Sequence, residues 1–393
     1  MRAVMAALLL CAIAAVPYGA PFASAHAADK RPPLPTYTQA YTPVTVDERG
    51  LWMEADEDEC RLRESRSVIR DPALNAYVRG VLCRTVGEDR CRSVRIYIDQ
   101  IPAFNATMSP NGTMTIWSGL LLRVRNEAEL GSVLGHEFGH FELRHSLMDF
   151  KHRRGGSDLM AWASILVRNS SDIRYSTIGG FYAFDRAQER EADMMGFQYL
   201  TRSRYPSSAS ADVWDHLIGE ADATAIGRKG RARHKYVAGF FATHPTNLAR
   251  ATYLRAAAIE AADIKPPIAD THQAAMAQWL PILLNDQIKL NDFGGSEYLL
   301  GYLAEGSGWT TPLLCARGDL YRERGNPRDL VSAAQFYQAA IDQGTAPPEA
   351  YRGLGLSLLR SRQVAEGRTA LATYLRLQPG AADATLIATL VAQ

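Results

Sequence analysis

The chain has 393 residues, 47% of them hydrophobic and 22% charged, with a formal charge of +1. These proportions suit a folded protein of two or three domains and exclude a disordered polyelectrolyte. The balanced charge also excludes a dedicated nucleic-acid binder, which needs a basic excess to displace counterions.

Arg2 and the apolar run Ala3–Val16 are followed by small residues and by Ala25-His26-Ala27. The run is shorter than the roughly 20 residues that span a bilayer. Its pattern is that of an export signal cleaved near Ala27. Removing residues 1–27 takes away one arginine, which brings the formal charge to zero. No later run is long enough to cross a membrane. The expectation is an exported, periplasmic protein with no transmembrane anchor after cleavage. Cys60, Cys83, Cys91 and Cys315 then become disulfide candidates. Cys83 and Cys91 close a short loop, and Cys60 is a rival partner for either. Cys315 lies far away in a helical segment and reads as a buried free thiol. One disulfide among the first three is expected, and no pair has the CxxC spacing of a metal site.

Residues 28–45 are proline-rich and read as an extended arm. Residues 46–81 read as helical, with a new helix starting at Asp71-Pro72. Val94, Ile96 and Ile98 alternate with Arg95, Tyr97 and Asp99, which is strand periodicity. Pro110-Asn111-Gly112 is a turn, and Met114 and Ile116 alternate beyond it. These two runs are expected to form a hairpin or adjacent strands. Asn126 with Glu129 opens a strong helix whose apolar stripe is Leu130, Leu134, Phe138 and Phe141.

That helix carries Gly135-His136-Glu137-Phe138-Gly139-His140. His136 and His140, four apart, project from one face and suit a shared Zn²⁺. Glu137 lies beside them, placed to take a proton from a metal-activated water without being a ligand. Leu143 and Ser146 stand where a metzincin has glycine and histidine, so that class is excluded. A third ligand is sought on a second helix, Glu189-Arg190-Glu191-Ala192-Asp193. Glu189 and Asp193 share a face there, and Glu191 points away. Glu189 suits the third ligand, and Asp193 suits an acceptor for the other nitrogen of a liganding histidine. Gly131, Gly135 and Gly139 line one side of the first helix, and Ala192 and Gly196 flank the carboxylates on the second. Glycine inside a helix costs up to ~1 kcal/mol against alanine. Close approach of the two helices is the reason such a row invites.

His136-Glu137-Phe138-Gly139-His140 followed by Arg144-His145, and then Glu189-Arg190-Glu191-Ala192-Asp193, resembles the gluzincin family of HtpX and the CAAX prenyl proteases. Phe104-Asn105-Ala106, Asn111-Gly112 and Gly119-Leu120-Leu121 resemble that family's strand block, and Thr243-His244-Pro245 with Arg250 its downstream His-Pro motif. The resemblance covers residues ~60–260. The export signal and helical C-terminal part make the chain more similar to the periplasmic BepA-like branch, which is linked to outer-membrane protein assembly. The resemblance implies one Zn²⁺ per chain on His136, His140 and Glu189, with Glu137 as general base and Asp193 behind a ligand. It implies one of two roles for His244: stabilising the oxyanion, or taking the fourth zinc position as a plug. Arg250 is implied to assist the transition state or brace its loop. Substrate is expected as an extended strand beside Asn105 and Ala106. His145 sits off the metal face by the helical angle and reads as structural. Residues 155–184, with Gly155-Gly156 and Gly179-Gly180 at the ends, read as a lid or as an ordinary surface helix.

Toward the C-terminus, Ala316, Gly318, Tyr321, Gly325, Asp329, Ala334, Tyr337, Ala340 and Gly344 resemble a Sel1-type repeat. Tyr351, Leu354, Gly355, Leu358, Gly367, Leu371, Tyr374 and Pro379 match a tetratricopeptide frame. The fold class expected is α+β, mostly helical: a zincin-type catalytic domain with a small sheet, then a helical repeat domain. The division expected is 1–27 signal, 28–45 arm, 46–262 peptidase and 263–393 repeats. The leading function is a periplasmic zinc endopeptidase acting on unfolded or misassembled envelope proteins, with the repeats docking envelope-assembly partners. The alternatives are a scaffold or chaperone with a latent zinc site, and a peptidase of cell-wall peptides.

Overall fold

In a computed structural model, the described residues are 34–155, 186–231, 247–265 and 269–392. Residues 1–27, expected to be an export signal, the 156–184 stretch, and His244 with its His-Pro motif lie outside them. The arm enters without regular structure until α1 (Val46–Glu64). Its Tyr37 hydroxyl donates to Ser93 at 2.7 Å, and its ring lies 5.9 Å from that of Phe138. Helix α2 (Pro72–Val86) starts where Asp71 accepts from the Ala73 amide, with proline in the first turn. Helix α3 (Glu88–Cys91) follows, and the Cys83–Cys91 disulfide ties it to α2. Cys60 is a free, exposed thiol. Cys315 is free and partly buried, its thiol pushed up to about 12 by burial.

The strands are β1 (Arg95–Asp99), β2 (Ala106–Met108) and β3 (Thr113–Trp117), in the order β1-β3-β2. The two runs legible in the sequence, β1 and β3, are parallel neighbours with Ile96 opposite Met114. The hairpin joins β2 to β3 through the Pro110-Asn111-Gly112 turn, with Ala106 opposite Ile116. Gly112 sits at φ +92°, and a Cβ there would collide with the Ser93 carbonyl. The strand between the two runs has only three residues, too few for a visible period. Ile98, Met114 and Ile116 are fully buried, as are Val78, Leu82 and Leu134.

Helix α4 (Ser118–Arg123) leads to α5 (Glu127–Glu142), capped by Asn126 accepting from the Glu129 amide at 2.8 Å. Helix α5 ends at Glu142, Arg144 takes a left-handed φ of 59°, and α6 (His145–Gly155) departs in a new direction. Helices α7 (Arg186–Arg202), α8 (Ala209–Gly227) and α9 (Asn247–Ala261) complete the region around α5.

The rest is helical repeat. After α10 (His272–Met276), α11 (Leu280–Ile288) and α12 (Phe293–Ser307) come α13 (Thr311–Arg324) with α14 (Pro327–Asp342), and α15 (Pro348–Arg360) with α16 (Val364–Leu377). Helix α17 (Ala384–Ala392) caps the stack. The buried Tyr337 ring fills the gap left by Gly318 on α13 and Gly353 on α15, where any Cβ would strike it. Its hydroxyl donates to Asp319 at 2.6 Å. No helix among the described residues is long and apolar enough to cross a membrane.

Helix α1 clamps the sheet through one carboxylate. Glu59 accepts from Arg95 Nε at 2.6 Å and from the Tyr97 hydroxyl at 2.9 Å. The Arg95 guanidinium holds its carboxyl down at about 2, below the ordinary 4.5. A carboxylate depressed in the folded state stabilises above its unfolded value and loses that contribution as pH falls through the folded one. Glu59→Gln is therefore expected to cost about 1 kcal/mol at neutral pH, a modest figure because Arg95 is half exposed. Urea unfolding should show the gap to the parent closing as pH falls from 4.5 toward 2.

Candidate metal centre

Helices α5 and α7 cross with their backbones in contact. A Cβ on Gly139 would lie 3.0 Å from the Ala192 carbonyl, and one on Gly196 would lie 2.9 Å from the His136 amide nitrogen. The close approach anticipated from the glycine row is present. Gly131 differs: it faces Thr85 of α2 and the Tyr205 ring.

This crossing brings three donors together. His136 Nε2 and His140 Nε2 are 3.1 Å apart. Glu189 Oε2 is 3.7 Å from the first, and Glu189 Oε1 is 3.5 Å from the second. All three side chains are buried. Four ligands at ~2.0–2.1 Å from a tetrahedral zinc lie about 3.3–3.4 Å from one another. The observed spacings bracket that value, so the donor set fits a divalent ion in both chemistry and size.

The charge balance points the same way. Glu137, Glu189 and Asp193 are buried around one buried guanidinium, that of Arg250. Glu189 and Asp193 outweigh the one guanidinium, so the cluster is net negative and suits a cation. Burial, and then repulsion from Glu189, raise the Glu137 carboxyl well above its usual range. Burial, and then the charge of Arg250, lower the His136 imidazole. Burial opposes ionisation of Asp193 too, yet Arg250 and His136 outweigh it and hold the carboxyl low.

Glu137 Oε1 lies 4.0 Å from His136 Nε2, at the margin of the donor cluster. Asp193 Oδ1 is 2.9 Å from His136 Nδ1. Arg250 Nε donates to Asp193 Oδ2 at 2.8 Å, and its guanidinium lies 3.7 Å from the Trp214 ring centre. Arg250 Nη2 also lies 3.1 Å from His136 Nδ1 and 3.2 Å from His136 Nε2, and Nη1 lies 3.7 Å from Glu189 Oε2, so the guanidinium touches the donor cluster as well as Asp193. Asn105 precedes β2, its carbonyl accepting from the Trp117 amide at 2.9 Å, and Ala106 is buried in β2. β2 is an edge of the sheet, and Met108 and Pro110 share a shallow cleft with His140, Phe141 and Trp52.

Three groups at the centre escaped the sequence reading. The Tyr253 hydroxyl donates to Asp193. Its position three residues after Arg250 on one helix is the signal that finds it. The others are His145 and Glu191, which reach the site from behind His140 rather than from the metal face. His145 was placed off the metal face by continuing the helical angle of α5. The helix stops at Glu142, and the left-handed Arg144 turns the chain back. His145 Nδ1 lies 2.9 Å from His140 Nδ1, and its Nε2 lies 3.3 Å from Glu191 Oε2. Glu191, largely exposed, therefore touches the outer nitrogen of His145.

Gly196→Ala is expected to lower stability by about 1–3 kcal/mol, because the new methyl meets backbone that cannot yield. Zinc retention should fall with it as Glu189 is pushed off His136. On α12 a Cβ at Gly301 has nothing within 4 Å, so Gly301→Ala should be neutral or stabilising by up to ~1 kcal/mol. Denaturant unfolding and metal analysis of the two variants check both statements.

Comparison with known proteins bears on the same residues. Residues 87–258 match the model of peptidase family M48. The chain is 27% identical over 177 residues to the beta-barrel assembly-enhancing protease of Escherichia coli, covering 41% of this chain and 36% of that protein. It is 31% identical over 159 residues to metalloprotease YcaL of Escherichia coli, covering 38% of this chain and 57% of that protein. It is 26% identical over 178 residues to mitochondrial metalloendopeptidase OMA1 of Schizosaccharomyces pombe, covering 44% and 50%. The chain thus spans 36–57% of the length of these relatives. The matched stretch holds both α5 and α7 and is similar to the M48 peptidases, and its buried triad of His136, His140 and Glu189 has the donor set of a zinc metallopeptidase active site.

Proposed function

We propose that the chain is a periplasmic zinc endopeptidase that hydrolyses peptide bonds of misfolded or misassembled envelope proteins. The observation that carries this reading is the buried triad with Glu137 at its margin. One zinc ion per chain would be held by His136, His140 and Glu189. When bound, it supplies a Lewis acid that polarises the scissile carbonyl and acidifies the attacking water. Glu137 takes the proton from that water and passes it to the leaving amine. A carboxyl raised by burial suits a group that must both accept and return a proton. Asp193 keeps the His136 proton on Nδ1, and Arg250 and Tyr253 hold Asp193, so these three position rather than react.

Backbone alternation supports strand-wise substrate binding. The Asn105 carbonyl and the Ser109 amide both turn toward β3, so those of Ala106 and Met108 turn to the outer edge. An extended peptide there would gain affinity from main-chain pairing without strict sequence choice. The division of labour proposed is 46–262 for catalysis and 263–393 for docking envelope-assembly proteins. Support comes from the BepA-like character of the sequence and from the beta-barrel assembly-enhancing protease among the relatives. His244 is assigned by resemblance alone, as the residue that restrains the site.

The test is cleavage of unfolded casein with metal analysis in parallel. The parent is expected to hold one zinc per chain and to cleave. Glu137→Gln should keep the zinc and lose at least ~10²-fold in rate. His244→Ala should cleave faster, and a slower rate would assign it a catalytic role instead. Zinc near one per chain with no cleavage by any variant would sink the enzyme reading in favour of a scaffold.

A further inference from the structure

The two metal-facing histidines have different supports. His136 Nδ1 meets a carboxylate directly, Asp193 Oδ1 at 2.9 Å. His140 Nδ1 meets a second imidazole, His145 Nδ1, also at 2.9 Å. His145 Nε2 continues the line to Glu191 Oε2 at 3.3 Å. His145 is fully buried, whereas the Glu191 side chain is 62% exposed.

The proton positions follow from the duty of Nε2. For His140 to offer its Nε2 lone pair to a cation, its proton must sit on Nδ1. A proton there needs an acceptor, so His145 Nδ1 must be bare. The His145 proton then sits on Nε2, where it faces the Glu191 carboxylate. These proton positions are mutually compatible and agree with a ligated His140.

We propose that His145 is a positioning residue which, with Glu191, fixes the tautomer and ring angle of His140 as a zinc ligand. The proposal rests on the zinc reading given above. Packing alone does not account for the arrangement. A buried imidazole must have both nitrogens satisfied, which an apolar residue would not require. The turn that aims it places a non-glycine residue, Arg144, in the left-handed region, which is sterically costly. Glu191 reaches the relay from an exposed position on the helix that also supplies Glu189 and Asp193. One helix therefore gives a ligand and orients both histidines, one directly and one through His145. Outer groups of this kind are worth 10–100-fold in metal affinity.

Zinc affinity of the whole chain, measured by competition with a chromophoric chelator, tests the relay alongside thermal unfolding of the metal-free protein. His145→Ala is expected to weaken zinc about 10–100-fold. His145→Asn, whose Oδ1 can accept in place of Nδ1, should recover part of that loss. Glu191→Ala should weaken zinc while leaving the metal-free unfolding temperature unchanged, because the side chain is exposed. Parent-like zinc affinity in both alanine variants overturns the proposal. If His145→Ala does not fold, Glu191→Ala decides alone. His140→Ala separates the two readings. Parent-like zinc binding by it removes the zinc site itself. Lost zinc there, with parent-like affinity in Glu191→Ala, removes only the relay.

Discussion

The site depends on one contact, the backbone-to-backbone crossing of α5 and α7. Neither helix holds a complete donor set. His136 and His140 lie on one and Glu189 on the other, and their donor atoms come within 3.1–3.7 Å only because no side chain separates the helices at the crossing. Gly139 against Ala192, and Gly196 against the His136 backbone, leave no room for a methyl. Helix propensity is given up at these positions and a rigid spacing is obtained in return. Both binding elements are helices held by packing, so the donors are set before any ion arrives.

The crossing also concentrates charge. Three carboxylates and one guanidinium share a volume from which water is largely excluded. Such a group is tolerable only when opposite charges and hydrogen bonds meet each oxygen. Asp193 shows how this is done, with Arg250, Tyr253 and His136 Nδ1 all directed at one carboxylate. Glu137 shows the opposite case. Its carboxyl is raised by burial and by Glu189, which is the setting a proton carrier needs. Neighbouring acids on one pair of helices are thus driven apart in acidity by what surrounds them, and their separate tasks follow from that difference.

Much of this was legible because it is periodic. The i, i+4 spacing of His136 and His140, the carboxylates at Glu189 and Asp193 and the glycines between them all follow from helix geometry, and the structure continues that geometry. Tyr337 between Gly318 and Gly353 is another case, a large ring set against small residues at repeat spacing. Where periodicity ended, so did legibility. β2 has three residues and no pattern to read, so the sequence leaves hairpin and adjacent strands both open for the two runs, and the structure selects adjacent strands. The contact of His145 with His140 is illegible for a related reason. An angle was carried past Glu142, and no rule of side-chain pattern marks Arg144 as the left-handed residue that breaks the helix there. Parallel pairing of β1 with β3 is likewise a tertiary fact, since alternation specifies a strand and not its partner.

The ends of α5 show why the helices after residue 263 cannot be regarded as a separate attachment. At its start Glu127 is buried and accepts from the Tyr205 hydroxyl at 2.6 Å, from Arg84 at 3.1 Å and from the Thr271 hydroxyl at 2.6 Å. Two residues on, Glu129 accepts from the Arg125 amide at 2.8 Å and from the Tyr302 hydroxyl of α12 at 3.3 Å. At its other end Glu142 is held by Arg90 at 2.8 Å and by the Tyr199 hydroxyl. Thr271 and Tyr302 come after residue 263, yet they satisfy carboxylates in the first turn of α5. Stripping them away would leave buried charge with fewer donors, at a cost of about 1–3 kcal/mol per lost partner. Helix α5 is therefore tied at its first turn to residues on both sides of position 263.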